Sequence, residues 1–125
     1  ECIVLDEPTA MLDPKGRKEV MDTVRRLNRE RGITVVFITH FMEEAAAADR
    51  VVVMDDAKIV LDGTPKDVFL KAELLKSIGL DIPKAAALAA ELRANGIPMR
   101  EDVLSADTFA DNILELLGEP QNGTA

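Results

Sequence analysis

Two apolar runs, each ending on polar chemistry, constrain this chain more than anything else in it. Cys2-Ile3-Val4-Leu5 stops at the adjacent carboxylates Asp6 and Glu7, and Ile33-Thr34-Val35-Val36-Phe37-Ile38 stops at Thr39-His40. Short, continuously apolar and β-branched runs read as buried strands of a parallel sheet. Between them Asp13-Pro14 is a helix start, an N-cap acid followed by proline at the first helical position, and Gly32 is a helix stop. Strand, helix, strand is a βαβ unit with parallel strands, so both runs end on one edge of the sheet. That edge is where open α/β sheets bind ligands. Asp6, Glu7 and His40 are therefore the candidate chemistry of an α/β fold.

The helix is expected from Pro14 to about Arg31, with Val20, Met21, Val24 and Leu27 inward and Asp22 pairing with Arg26 on the wet side. A short alanine-rich helix follows from about Met42 to Ala48. Arg50 to Met54 and Lys58 to Asp62 read as a hairpin turning at Asp55-Asp56-Ala57. The chain changes character at Asp62-Gly63-Thr64-Pro65, where Thr64 is a helix N-cap. Beyond it only helices are expected: about Pro65 to Ile78 with a break near Lys71, Pro83 to Asn95 with Leu88 and Leu92 on one face, and a last helix capped by Ser105 with Phe109, Ile113, Leu116 and Leu117 inward. The expected organisation is residues 1–63 as an α/β lobe, 64–118 as a small all-helical domain, and 119–125 as a disordered tail.

Composition narrows the function classes. The net charge is −8, with 13 acids against 9 bases up to residue 63 and 10 against 6 beyond it, so neither half offers the basic surface that nucleic acid or anionic lipid selects. Aromatic content is 3%, with no Trp or Tyr, which leaves little for base stacking. One cysteine, Cys2, permits no internal disulfide and reads as a small buried hydrophobe in a reduced setting, and Met11, Met42 and Met54 are assigned to packing. No stretch approaches membrane-spanning length and no signal peptide is visible. The chain opens directly on a strand at Glu1, which reads as a piece of a longer protein.

Asp6 and Glu7 suit complementary roles: one acid to hold a hydrated Mg²⁺, the other to orient or deprotonate a water for in-line attack on a phosphoryl group. A solvated pair at a strand terminus is the plain alternative for the dipeptide. His40 gains weight from its place on the same edge. Asp13 already has a sufficient role as a helix cap, and Lys15, Arg17 and Lys18 read as a solvated helix face.

The residues just described carry a resemblance. Ile3-Val4-Leu5-Asp6-Glu7-Pro8-Thr9 resembles the Walker B strand of ATP-binding-cassette (ABC) ATPases, Ala10-Met11-Leu12-Asp13-Pro14 the D-loop that follows it, and Ile38-Thr39-His40 the switch histidine. Their order and spacing match together, over about half the chain. Ala-Met-Leu-Asp-Pro and Thr-His-Phe-Met-Glu-Glu-Ala look most like the first ATPase subunit of energy-coupling-factor importers for vitamins or transition-metal ions. The helices after Pro65 resemble the C-terminal extension of those subunits.

The resemblance implies a partial P-loop NTPase lobe and ATP and Mg²⁺ as cofactors. It implies that Asp6 holds Mg²⁺ through water, Glu7 is the catalytic base, His40 contacts the γ-phosphate and Asp13 lies at a dimer seam. The implied partners are a second ABC ATPase subunit and a transmembrane coupling component, with the parent peripheral on the cytoplasmic face of the membrane and no nucleic-acid partner. None of the seven glycines stands in a G-x-x-x-x-G-K-[S/T] context, and the Q-loop and signature segments are missing. The phosphate loop supplies most of the nucleotide grip, so the chain alone is expected to be inactive. The competing expectations are a non-catalytic dimerisation module built on the C-terminal helices and a DNA-repair ATPase, the latter opposed by the acidic balance.

Overall fold

The structure is a computed structural model that describes residues 1–118; the tail expected over 119–125 lies outside the described residues. It divides into two compact units, Glu1–Glu44 and the chain from Ala45 onward.

In the first unit β1 (Cys2–Asp6) pairs in parallel with β2 (Thr34–Ile38), joined by α1 (Pro14–Arg31). The register runs from Cys2 opposite Thr34 to Asp6 opposite Ile38, so both strands finish at the same level. The boundaries of α1 follow from its caps. Asp13 is extended at φ −72° and ψ 171°, its side chain accepting the Gly16 N–H at 2.8 Å, and Pro14 supplies a preset φ. Gly32 ends the helix at φ 65°, a left-handed conformation that costs a residue with a Cβ about 1–2 kcal/mol. Its N–H reaches the Asn28 carbonyl at 3.1 Å. Val20, Met21, Val24 and Leu27 form the half-buried stripe, as their spacing predicts. On the wet side Asp22 meets Lys18 and Arg25, the neighbours one turn either way, rather than the expected Arg26.

The strands are less buried than apolar runs imply. Along both, half-buried and exposed residues alternate, with Val4 63%, Val36 45% and Ile38 47% exposed. Among the described residues this sheet has two strands and one crossover helix, which covers a single face. Cys2 on β1 is exposed, and so is Met11 in the loop before α1, correcting their assignment to packing.

The short helix α2 (Met42–Ala46) spans the division between the units. In the second unit β3 (Val51–Asp55) and β4 (Lys58–Gly63) form the antiparallel hairpin. Its turn is the two residues Asp56 and Ala57, both with positive φ (49° and 59°), the type I′ signature that matches strand twist. Val51 and Val53 bury one face of β3, while Met54 is 62% exposed, a second correction to the packing assignment. Four helices follow: α3 (Pro65–Phe69), α4 (Ala72–Ser77), α5 (Lys84–Ala94) and α6 (Ala106–Leu116). The expected break near Lys71 separates α3 from α4.

Thr64 caps α3 through the Asp67 N–H, and Ser105 caps α6 in a reciprocal box with Thr108. Ala89, Met99 and Val103 form the buried cluster, with Leu92, Phe109 and Ile113 packed against it. Leu88, Leu116 and Leu117 stay exposed; on α5 the buried positions are Ala86 and Ala89, with Leu92 packed against the cluster. Asn112, 2% exposed, accepts the Arg100 N–H at 2.7 Å, and so a polar side chain takes the most buried position of α6.

Candidate functional site

The parallel ladder does not stop at Asp6. The Glu7 N–H donates to the Ile38 carbonyl at 2.8 Å, after which Glu7 adopts φ 46° and the chain leaves the sheet. For a residue with a Cβ this conformation is uncommon and strained. It also ends the strict alternation of side chains at Asp6. Two short turns follow, Ala10 N–H to Glu7 carbonyl (3.3 Å) and Leu12 N–H to Thr9 carbonyl (3.1 Å), leading to the Asp13 cap.

This exit brings Glu7 against His40, the second residue past β2. Glu7 Oε1 lies 2.8 Å from His40 Nδ1. Both side chains are substantially exposed, 49% for Glu7 and 59% for His40, so the pair opens to the surface on the sheet's carboxyl edge. The imidazole stacks at 4.5 Å on the Phe41 ring, and the Arg17 guanidinium sits 3.8 Å above the same ring. A cation over an aromatic face is attracted by the ring quadrupole. Arg17 is thus half-buried, with its Nε lacking a hydrogen-bond partner, and does not belong to a solvated face.

Of the candidate residues, the structure joins Glu7 and His40 directly. It sets exposed Asp6 beside them at the strand terminus and keeps Asp13 at the start of α1, engaged with Gly16. A hydrated Mg²⁺ needs only one or two carboxylates and keeps several waters. Asp6 suits that mode of binding, and a fully protein-built cage is not offered, since the described residues contain no group of three or more His, Cys, Asp or Glu around one point.

Beneath the exposed pair lies a buried polar link that sequence reading missed. Thr9 (1% exposed) donates its hydroxyl to Glu44 Oε1 at 2.5 Å, and Thr39 donates to Glu44 Oε2 at 2.6 Å. Thr39 Oγ1 also accepts the Phe41 N–H at 3.0 Å. The one hint in the sequence is positional: a threonine stands at the exit of each strand, with a carboxylate on the short helix beyond.

No protein-family model matches the chain. Among curated proteins it is 60% identical over 113 residues to the energy-coupling factor transporter ATP-binding protein EcfA1 of Caldanaerobacter subterraneus subsp. tengcongensis, covering 90% of this chain and 41% of the relative. Identity to EcfA1 of Clostridium novyi is 52% over 116 residues, 93% of this chain and 41% of the relative. Among solved structures it resembles cbiO1 of Clostridium perfringens, described as part of the ABC transporter complex cbiONQ. That match has a TM-score of 0.52 and 37% identity over 62% of this chain and 31% of the other. The chain therefore spans about two fifths of the length of the curated relatives it matches. It is α/β, with the parallel strand pair, antiparallel hairpin and C-terminal helices described above. Over the segment it spans, the chain belongs to the ATP-binding subunits of ABC transporters, with the energy-coupling factor proteins as its relatives.

Proposed function

We propose that this chain supplies the water-activating half of the active site in an ATP-hydrolysing subunit of an energy-coupling-factor importer for vitamins or transition-metal ions. The observation that supports it most is the Glu7–His40 contact at 2.8 Å on the edge where both parallel strands end. MgATP, when bound, supplies the phosphorus to be attacked and the charge neutralisation that attack requires. In this reading Glu7 accepts a proton from the attacking water, with His40 as the neighbour of its carboxylate. With Nδ1 on Glu7, the Nε2 of the imidazole is left to contact the γ-phosphate, and exposed Asp6 holds the hydrated cation through water.

Asp13 contributes first as the cap that fixes the loop after Glu7, and at a seam with a second ATPase subunit in the closed state. Residues 1–63 act as the core portion, and residues 64–118 as a helical extension that helps hold two such subunits together. The exposed Leu88 and Leu117 suit that second task. A transmembrane coupling component would receive the motion, with the subunit peripheral on the cytoplasmic face. No described helix is long and apolar enough to cross a membrane. The sequence holds no phosphate loop, so turnover requires residues beyond these 125. The test compares ATP turnover by the 125-residue chain with turnover by a full-length subunit carrying it. Turnover by the latter alone is expected, and equal turnover by both would refute the division of labour.

A further inference from the structure

We propose that Glu44 is a positioning residue whose carboxylate, shared between Thr9 and Thr39, fixes the two loops that carry Glu7 and His40. Thr9 stands two residues after Glu7, and Thr39 immediately precedes His40. Each loop is bound to a different oxygen of one carboxylate, at 2.5 and 2.6 Å, and that carboxylate belongs to a residue only 8% exposed. The Glu44 N–H also donates to the Phe41 carbonyl at 3.1 Å, and the Phe41 N–H donates to Thr39, so the loop after β2 is closed on itself around Glu44.

The surface pair depends on this link for a physical reason. Exposed charged contacts contribute little by themselves and do not hold a geometry against solvent. The last ladder bond is Glu7 N–H to Ile38 carbonyl, and past it neither loop is held by the sheet. A carboxylate can accept from two hydroxyls at once, one on each oxygen; an amide offers one acceptor oxygen and an alanine none. Positioning of this kind matters because reacting groups displaced by about 1 Å lose roughly 10²-fold in rate. The catalytic consequence rests on the ATPase reading above, whereas the positional claim does not.

His40 is the single histidine of the chain, so its ring nitrogens give an isolated NMR signal. The experiment records ring ¹⁵N–¹H correlations of the nucleotide-free 125-residue chain as wild type, Glu7→Ala, Glu44→Gln and Glu44→Ala, at one pH. Glu44→Ala is expected to move the His40 signals from the wild-type positions to those of Glu7→Ala, where the partner is absent, with Glu44→Gln between. Wild-type His40 signals in Glu44→Ala, with the β1–β2 amides intact, would overturn the proposal. Should Glu44→Ala lose those amides, Thr39→Val, which removes one arm, decides by the same criterion. In a full-length subunit, Glu44→Ala is expected to lower kcat for ATP roughly tenfold or more with KM unchanged. An unchanged kcat in an active subunit overturns the positioning role. A full-length wild type without turnover refutes the ATPase reading instead, and leaves the NMR result to judge the link.

Discussion

Replacing Thr9 by valine keeps the shape of the side chain and removes one hydroxyl, which makes it the sharpest probe of the buried link. Thr9 is 1% exposed and donates at 2.5 Å to Glu44. A hydrogen bond to a charged acceptor contributes about 1.5–3 kcal/mol, and the Glu44 oxygen left behind has no easy access to water. The new methyl group offsets part of this, about 0.8 kcal/mol at most for one buried carbon. The net loss is about 2 kcal/mol, borne by the first unit. Because the chain has two units, a single unfolding midpoint is a poor assay, and amide hydrogen exchange read residue by residue is a better one. At 1.4 kcal/mol per factor of ten, the Glu7 amide and its neighbours on β1 and β2 are expected to exchange roughly 30-fold faster. The amides of α5 and α6, in the second unit, serve as internal controls and stay unchanged. Acceleration below threefold on β1 and β2 would refute the assignment of Thr9 as a buried donor to a charge.

Two further predictions follow from the same geometry. Asp13→Ala removes the acceptor of the Gly16 N–H and is expected to destabilise α1 by about 1 kcal/mol, seen as faster exchange in its first turn, while Asp13→Asn keeps the cap and the stability. In the hairpin, Arg50 donates to both Asp62 oxygens, at 2.7 and 2.6 Å. Those hydrogen bonds first, and charge attraction with them, hold the Asp62 carboxyl below its ordinary range against the opposing effect of desolvation. A depressed folded pKa places the stabilisation above the unfolded value near 4 and removes it as pH falls through the lower folded value. Hairpin amide protection should therefore decline on acidification below about pH 4, and Asp62→Asn should flatten that decline.

What was legible in the sequence is what local chemistry decides. Asp13-Pro14 and Gly32 bound α1 because an N-cap acid, a preset φ and a left-handed glycine act within one turn. The break near Lys71 and the Ser105 cap are local in the same sense. The pairing of Glu7 with His40 was approachable because two strands joined by a helix must finish on one edge. Burial was not legible to the same degree: an apolar run says that a strand can be covered on both faces, but Val4 and Val36 find one face open. Glu44 was hidden because its partner Thr9 lies 35 residues away, and nothing in a short alanine-rich helix marks one acid as buried. Arg17 was misassigned because charge pattern alone does not show the Phe41 ring beneath it.

The central claim is that Glu7 takes the proton from the attacking water while other groups grip the nucleotide. It is tested most directly by measuring nucleotide binding and ATP turnover together in a full-length subunit carrying Glu7→Gln. The amide keeps the size of the side chain and its contact with His40 but cannot take the proton. Binding within a few-fold of wild type with turnover reduced by roughly 10²–10⁴ is the expected result, the range general-base catalysis contributes. Turnover at the wild-type rate would remove Glu7 from the reaction and with it the account of this edge as half of an active site.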